Sequence, residues 1–324
     1  VSYVFHAPGS RLILVGDRAQ LPPVGYEDSP ALEGRTFENG YGLYSTEIDL
    51  TRVYRQSEQS AILQNATRVR QAMESGETLP WGSLKFRTGG DFIRLEDGYD
   101  IQSAIEGAYS QEGLSETILI TRSNKRAGAF NAQIRSRILL SEGEIASGDL
   151  LMVVKNNYFW VEETSPCGFI ANGDLAEVMS VRREEELYGM RFARVELSLT
   201  DYPQMPKFEA LILLDTLYSQ APALPEDRAR AFFEQVMLDY EDLPPRKRFE
   251  ALAKNEYYNA IQVKFGYAVT CHKAQGGGWD NVLIEQVWMP EPKLSREYLR
   301  WLYTAITRAR KRVYLIGFPD EFFE

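Results

Sequence analysis

The chain has 324 residues, 44% of them apolar and 25% charged, an ordinary globular balance that fills about two domains. No apolar run approaches the roughly 18–20 residues that cross a bilayer, and residues 1–10 show no basic stretch followed by an apolar core, so the chain reads as cytoplasmic with no membrane partner. A net charge of −10 argues against a protein that coats nucleic acid electrostatically. Charge is unevenly spread, however. Arg122, Lys125, Arg126, Arg135 and Arg137 share one segment without an acid between them, and Arg308, Arg310, Lys311 and Arg312 form another. Two cysteines and two histidines leave little room for a disulfide framework or a zinc site. The absence of an initiator Met suggests a cut or processed chain.

Residues 11–15 read as a short buried strand, ended by Gly16-Asp17. The stretch from Gln20 through Pro22-Pro23 to Gly25 must be a loop, because two prolines forbid a helix interior or central strand. Helical spacing of Ile62, Leu63, Ala66, Val69 and Met73 predicts a helix over 57–75. Strand 92–95, helix 101–109, strand 117–121 and a helix up to 140 follow, a rhythm that implies a parallel sheet covered by helices. Near Gly148 the pattern changes. Short strand candidates at 150–154, 175–181, 192–199 and 211–214 have no long helix between them, which predicts a small antiparallel barrel. Residues 226–258 are polar and helical in pattern. The alternating rhythm resumes at Ala260, with strands at 267–270, 282–286 and 313–317 and a helix over 295–309. The barrel therefore reads as an insert in an α/β domain.

Four segments place polar groups just after buried strands or at a helix edge, where ligands of open parallel sheets bind. In Gly16-Asp17-Arg18-Ala19-Gln20-Leu21-Pro22-Pro23-Val24 a rigid loop pins an amide that both donates and accepts, suited to a terminal phosphate or a water. In Tyr54-Arg55-Gln56 a guanidinium could act on a phosphoryl group, an effect on the order of 10³–10⁵ in rate. Its plain alternative is a surface ion pair. Thr270-Cys271-His272-Lys273-Ala274-Gln275-Gly276 follows an apolar strand, and its Thr and His could hold phosphates. In Tyr303-Thr304-Ala305-Ile306-Thr307-Arg308-Ala309, Thr304 and Arg308 share a helix face. Tyr158, Phe159 and Trp160 could stack on bases or fill the barrel core.

These four segments, in this order, resemble motifs III, IV, V and VI of RecD-like superfamily 1 helicases. Thr121-Arg122-Ser123-Asn124, with Asn131 and Arg135, resembles the family's opening of the second motor domain, and Asn172-Gly173-Asp174 the signature of its SH3-like insert. The resemblance implies an α/β fold: a P-loop NTPase (RecA-like) parallel sheet with an inserted small SH3-like β-barrel. It implies a remnant of the first motor domain over 1–56, the second motor domain over 57–142 and 260–324, and the barrel with a helical extension over 143–259. It also implies roles. Gln20 would contact a γ-phosphate, Arg55 and Arg308 would complete the ATP site across the domains, and Gly16, Asp17, Gln275 and Gly276 would border the nucleotide. Thr270, His272, Lys273 and Asn124 would face single-stranded DNA. Gly278 stands where many relatives carry a polar residue.

Phosphoryl transfer also needs a phosphate cradle and a metal carboxylate. The pattern G-x-x-x-x-G-K-[ST] occurs nowhere in the sequence, nor does an apolar strand ending in Asp-Glu. Both precede motif III in the family, so the expectation is a chain that starts just after them, with an orphaned strand at 12–15 and a segment up to about Tyr54 that packs atypically, is mobile, or pairs with another molecule through exposed edges. ATP and Mg²⁺ would then serve the parent protein and neither would bind this portion alone. The parent would be a DNA helicase moving 5′ to 3′, with this portion inactive by itself. The alternatives are a non-catalytic single-strand-binding module and a subunit of a helicase–nuclease complex.

Overall fold

A computed structural model describes residues 9–50, 56–57, 59–289 and 292–324. In chain order its helices are α1 (Gly34–Tyr41), α2 (Ala61–Glu74), α3 (Gly98–Glu112), α4 (Asn124–Gln133), α5 (Glu226–Leu238), α6 (Pro245–Leu252), α7 (Cys271–Ala274) and α8 (Arg296–Ile306). The strands are β1 (Leu79–Pro80), β2 (Phe92–Leu95), β3 (Thr117–Thr121), β4 (Leu150–Val153), β5 (Leu175–Leu187), β6 (Met190–Leu199), β7 (Phe208–Leu213), β8 (Ile261–Phe265), β9 (Ala268–Thr270), β10 (Trp279–Glu285), β11 (Lys293–Leu294) and β12 (Ala309–Ile316).

Five strands make an all-parallel sheet in the order β2-β12-β10-β3-β9. The central strands explain why. Every residue of β3 is buried, as are Asn281 to Glu285 of β10, so both faces need helical cover. Helix starts are set locally. Asp97 accepts from the amides of Tyr99 and Asp100 at 2.8 and 2.9 Å to open α3, and Ser123 and Ser295 do the same for α4 and α8. The fold is thus an α/β parallel sheet carrying a closed barrel.

The barrel closes in the order β4-β5-β6-β7-β8, with β8 returning to pair antiparallel with β4. Residues 261–265, which the sequence reading placed in the resumed α/β domain without marking a strand, form this last barrel strand. They alternate buried and half-buried, as a barrel wall does, and the parallel sheet resumes only at Ala268. Helices α5 and α6 form the crossover that lets β7 and β8 run parallel. Phe232, Val236 and Leu252 of that crossover pack on Met190, Phe192, Leu211 and Leu213 in a second apolar cluster.

Both ends of the insert are pinned from one helical run. Arg135, in the π-helical turn that continues α4, donates twice to Asp149 at 2.8 Å and once to the Tyr218 hydroxyl at 3.0 Å, just before β4. The Tyr267 hydroxyl also donates to Asp149, at 3.0 Å. Burial works against the Arg135 charge, but its bonds to Asp149 outweigh that and hold its pKa above the ordinary value. Asn131, four positions earlier, accepts from the Ala268 amide at 2.7 Å and donates to the carbonyls of Phe265 and Ala268. One helical stride therefore fixes both the entry and the exit of the barrel.

Residues 12–15 form no strand. They have no sheet neighbour among the described residues, and Ile13 and Val15 are 84% and 88% exposed. An apolar alternation makes a strand only where a partner supplies the ladder. The next segment behaves differently from the expected atypical packing up to Tyr54: Ala19 and Leu21 are buried, and residues 17–28 are docked along α8.

Candidate functional site

Strands β3 and β9 are neighbours with Thr121 opposite Thr270, so their carboxyl ends open side by side. Whatever follows each strand must meet there. After β3 comes Ser123-Asn124 and the start of α4; after β9 comes the short helix α7. Asn124, Thr270 and Lys273 consequently line one groove, which also takes in Lys264 from β8. Lys273 reaches across to the barrel, donating to the Asn172 side chain at 2.6 Å, and burial lowers its pKa. His272 lies exposed on the other side of α7. It lines a cleft of ≈ 480 Å³ between the Asn172-Gly173-Asp174 turn and the loop Gln275–Trp279.

That loop needs its glycines. Gly276 has φ +92°, a left-handed conformation that side chains resist. A Cβ on Gly277 would fall 2.3 Å from the Trp279 ring. Gly278 sits against the Arg308 carbonyl and the Arg310 guanidinium.

Three of the four motif segments converge on one backbone unit, Leu21. Its amide donates to the Thr304 hydroxyl at 3.0 Å, and its carbonyl accepts from the Gln275 side chain at 2.9 Å. Asp17 shapes the same turn: one carboxylate oxygen accepts from the Ala19 amide at 2.9 Å and the other from the Tyr303 hydroxyl at 3.0 Å. Burial first, and the Asp17 charge second, raise the Tyr303 pKa. The loop ends on Asp28, paired with Arg300 and, at 3.3 Å, with Arg296. The Arg300 bond holds the Asp28 carboxyl below its ordinary pKa.

Gln20 itself is half-exposed; its backbone amide donates to the Asp17 carbonyl at 3.1 Å, and its side-chain amide makes no hydrogen bond among the described residues. Gly16 is exposed and backs onto the Leu32 side chain. Arg308 is buried, donating to the carbonyls of Thr304 and Gly277 at 3.0 Å and to the Thr307 hydroxyl at 3.1 Å. It thereby joins the end of α8 to the glycine loop. Arg55 lies outside the described residues.

The basic cluster after Arg308 does not form an open cationic face. Arg310 pairs with Glu116 at 2.7 Å, and Lys311 with Glu112 and Asp280 at 2.7 and 2.8 Å. Arg126 pairs with Glu285. The aromatic run splits. Trp160 donates to the Asn259 carbonyl at 2.8 Å and is half-buried, whereas Tyr158 is 70% exposed and stacked on Phe169 with ring centres 4.9 Å apart. Lys264, Asn172 and Tyr303 escaped the sequence reading as partners, because each acts across more than thirty positions of chain. Among the described residues no group of three or more His, Cys, Asp or Glu could hold a metal ion, and no helix is long and apolar enough to cross a membrane.

Residues 265–316, which hold β9, α7, β10, α8 and β12, match the family model of the UvrD-like helicase C-terminal domain. Over 320 residues the chain is 24% identical to the ATP-dependent RecD2 DNA helicase of Deinococcus radiodurans; the match takes in 96% of this chain and 33% of that helicase. A stretch of 60 residues is 42% identical to an uncharacterized protein of Methanocaldococcus jannaschii, covering 18% of this chain and 5% of that protein. Among solved structures, a Pif1 helicase from Bacteroides in complex with ADP-AlF3 and ssDNA aligns with a TM-score of 0.45 at 12% identity, over 95% of this chain and 63% of that one. The chain is similar to the carboxyl-terminal portion of RecD-like superfamily 1 helicases, a helicase-like region that spans about a third of the RecD2 protein it matches.

Proposed function

We propose that this chain is the carboxyl-terminal motor portion of an ATP-dependent DNA helicase that moves 5′ to 3′ along single-stranded DNA. The observation that carries the proposal is the double bond to Leu21: Gln275 and Thr304, from motifs V and VI, grip the backbone of the motif III loop. A shift of that loop therefore pulls on both the glycine loop and α8. Gln20, on the gripped loop with its side-chain amide open, fits the part of γ-phosphate sensor. Arg308, tied to Gly277, and Arg55 would supply positive charge to the transferring phosphoryl group. Gly16, Asp17, Gln275 and Gly276 border the same junction. Thr270, His272, Lys273 and Asn124 would hold the strand at the carboxyl ends of β3 and β9. ATP and its Mg²⁺ would be gripped chiefly by a phosphate cradle, and the sequence contains no G-x-x-x-x-G-K-[ST] pattern, so the chain alone would not turn over ATP.

The test is DNA-stimulated ATPase of the full-length protein carrying Gln20→Ala or Arg308→Ala. Loss of about 10³-fold in turnover is expected for Arg308→Ala, the lower end of the effect of an arginine at a transferring phosphoryl group. Near-normal turnover in both variants would overturn the roles given to Gln20 and Arg308; absence of ATP turnover in the full-length protein, with DNA binding intact, would leave a non-catalytic strand-binding module as the better reading.

A further inference from the structure

The groove at the ends of β3 and β9 holds a feature that no motif accounts for. Lys264 enters it from the barrel strand β8, and Lys273 from α7. Two lysines thus line one groove that has no carboxylate among its lining residues, close enough for the charge of one to act on the other; Lys273, bonded to Asn172, stands at the boundary with the larger cleft, which it also lines. Like charges brought together in a partly buried site repel unless an anion lies between them. Lys264 donates to the carbonyls of Thr216, at 3.3 Å, and of Ser219, which orients its ammonium and leaves one of three donors for the groove. Lys273 is oriented likewise by Asn172. The groove is narrow, ≈ 30 Å³ open to groups the size of a water, which suits a phosphate oxygen better than a base.

We propose that Lys264 is a nucleic-acid contact contributed by the barrel, and that its ammonium and that of Lys273 jointly hold one backbone phosphate of a single strand running past Asn124 and Thr270. This holds only if, as proposed above, Thr270 and Lys273 face a strand. The contact is blind to sequence, because only a phosphate oxygen enters. It also ties the barrel's orientation to strand binding, since the phosphate bridges β8 and α7.

The pair makes the grip sensitive to pH. Burial, and then the neighbouring Lys273 charge, lower the Lys264 pKa to about 8. Two acids on neighbouring elements are already paired, and Lys125 on α4 adds a further, exposed positive charge. Asp215 in the adjoining turn is bound by Arg228 at 2.9 Å, and Asp149 beside β4 by Arg135. A bound phosphate favours the charged amine, so affinity is greatest below pH 8 and falls as the free amine loses its proton. Between pH 7 and pH 9 a group titrating near 8 produces about a tenfold loss.

The experiment is fluorescence anisotropy of labelled oligothymidylate with the full-length protein, titrated with salt at pH 7 and pH 9. Lys264→Met is expected to weaken binding at pH 7, to reduce the slope of log K against log salt by about 0.7, and to flatten the pH response. Lys264→Arg keeps a charge that does not titrate in this range, so it is expected to bind at pH 9 as at pH 7. An unchanged salt slope in Lys264→Met, or a wild-type pH response in Lys264→Arg, overturns the assignment of Lys264 while leaving the strand-binding site in place. Failure of the wild-type protein to bind oligothymidylate at low salt overturns the strand reading itself, and the inference with it.

Discussion

The barrel and the loop over residues 17–28 are both held to the parallel sheet by polar contacts, but in opposite ways. At the barrel the contacts are buried charges: Arg135 and Asp149 are 5% and 0% exposed and meet through two parallel bonds. Along the loop they are single hydrogen bonds to a backbone unit, plus an Asp28 carboxylate that remains 38% exposed. A buried bidentate pair has no cheap broken state, since separating it strands a charge in a dry site. A loop held by single uncharged bonds to one backbone unit costs less to release than a buried bidentate ion pair. The barrel is thus built as a fixed part of its domain, and the loop as a contact that can be made and released.

Removing Arg135 is the strongest way to break this contrast. Arg135→Ala leaves the Asp149 carboxylate buried without its partner and is expected to cost about 3–5 kcal/mol in urea-induced unfolding. A cost below ~1 kcal/mol would mean that the barrel is not anchored there. A smaller effect is expected at the loop. Thr304→Val takes away the acceptor of the buried Leu21 amide, a loss of about 1–3 kcal/mol. The measurement is hydrogen exchange at Leu21, which should speed up while the amides of β3 stay protected. Equal loss of protection in both places would show that the loop does not release on its own.

The smallest effect concerns acid. Asp28 has a folded-state pKa below its unfolded value, so its contribution is present above the ordinary carboxylate range near 3.9 and is lost as pH falls through the lower folded value. Loop docking should therefore weaken below about pH 4 and be insensitive to pH above it. Asp28→Asn should abolish that acid step in the fluorescence of Trp301, which lies on the helix that the loop covers. An acid step of unchanged size in the variant would assign it to another carboxylate.

Much of the fold was legible before any coordinates. Strand 117–121 and the barrel strand candidates follow from apolar runs and turn residues, which act locally. The stretch 261–265, placed in the α/β domain and not marked as a strand, shows the limit. Alternation identifies a half-buried strand, but not which sheet it joins, because pairing is settled by partners far away in the chain. Residues 12–15 show the complementary limit, an apolar run without a ladder to join. At the site, Thr270, Lys273, Gln275 and Thr304 were visible as polar groups following strands or on a helix face. Lys264 was not, since an isolated Lys on an alternating strand looks like any solvated side chain.

By itself the sequence determined the order of elements, the insertion of a barrel into an α/β domain, and the identity of the polar groups at strand ends. Those depend on the spacing of apolar and turn residues over a few positions. Only the tertiary structure decided that Leu21 is gripped from two sides, that Arg135 and Asn131 pin both ends of the insert, and that Lys264 and Lys273 share one groove. Each of those joins groups on separate elements, and it is the register of β3 against β9 and the closure of β8 on β4 that bring them within bonding distance.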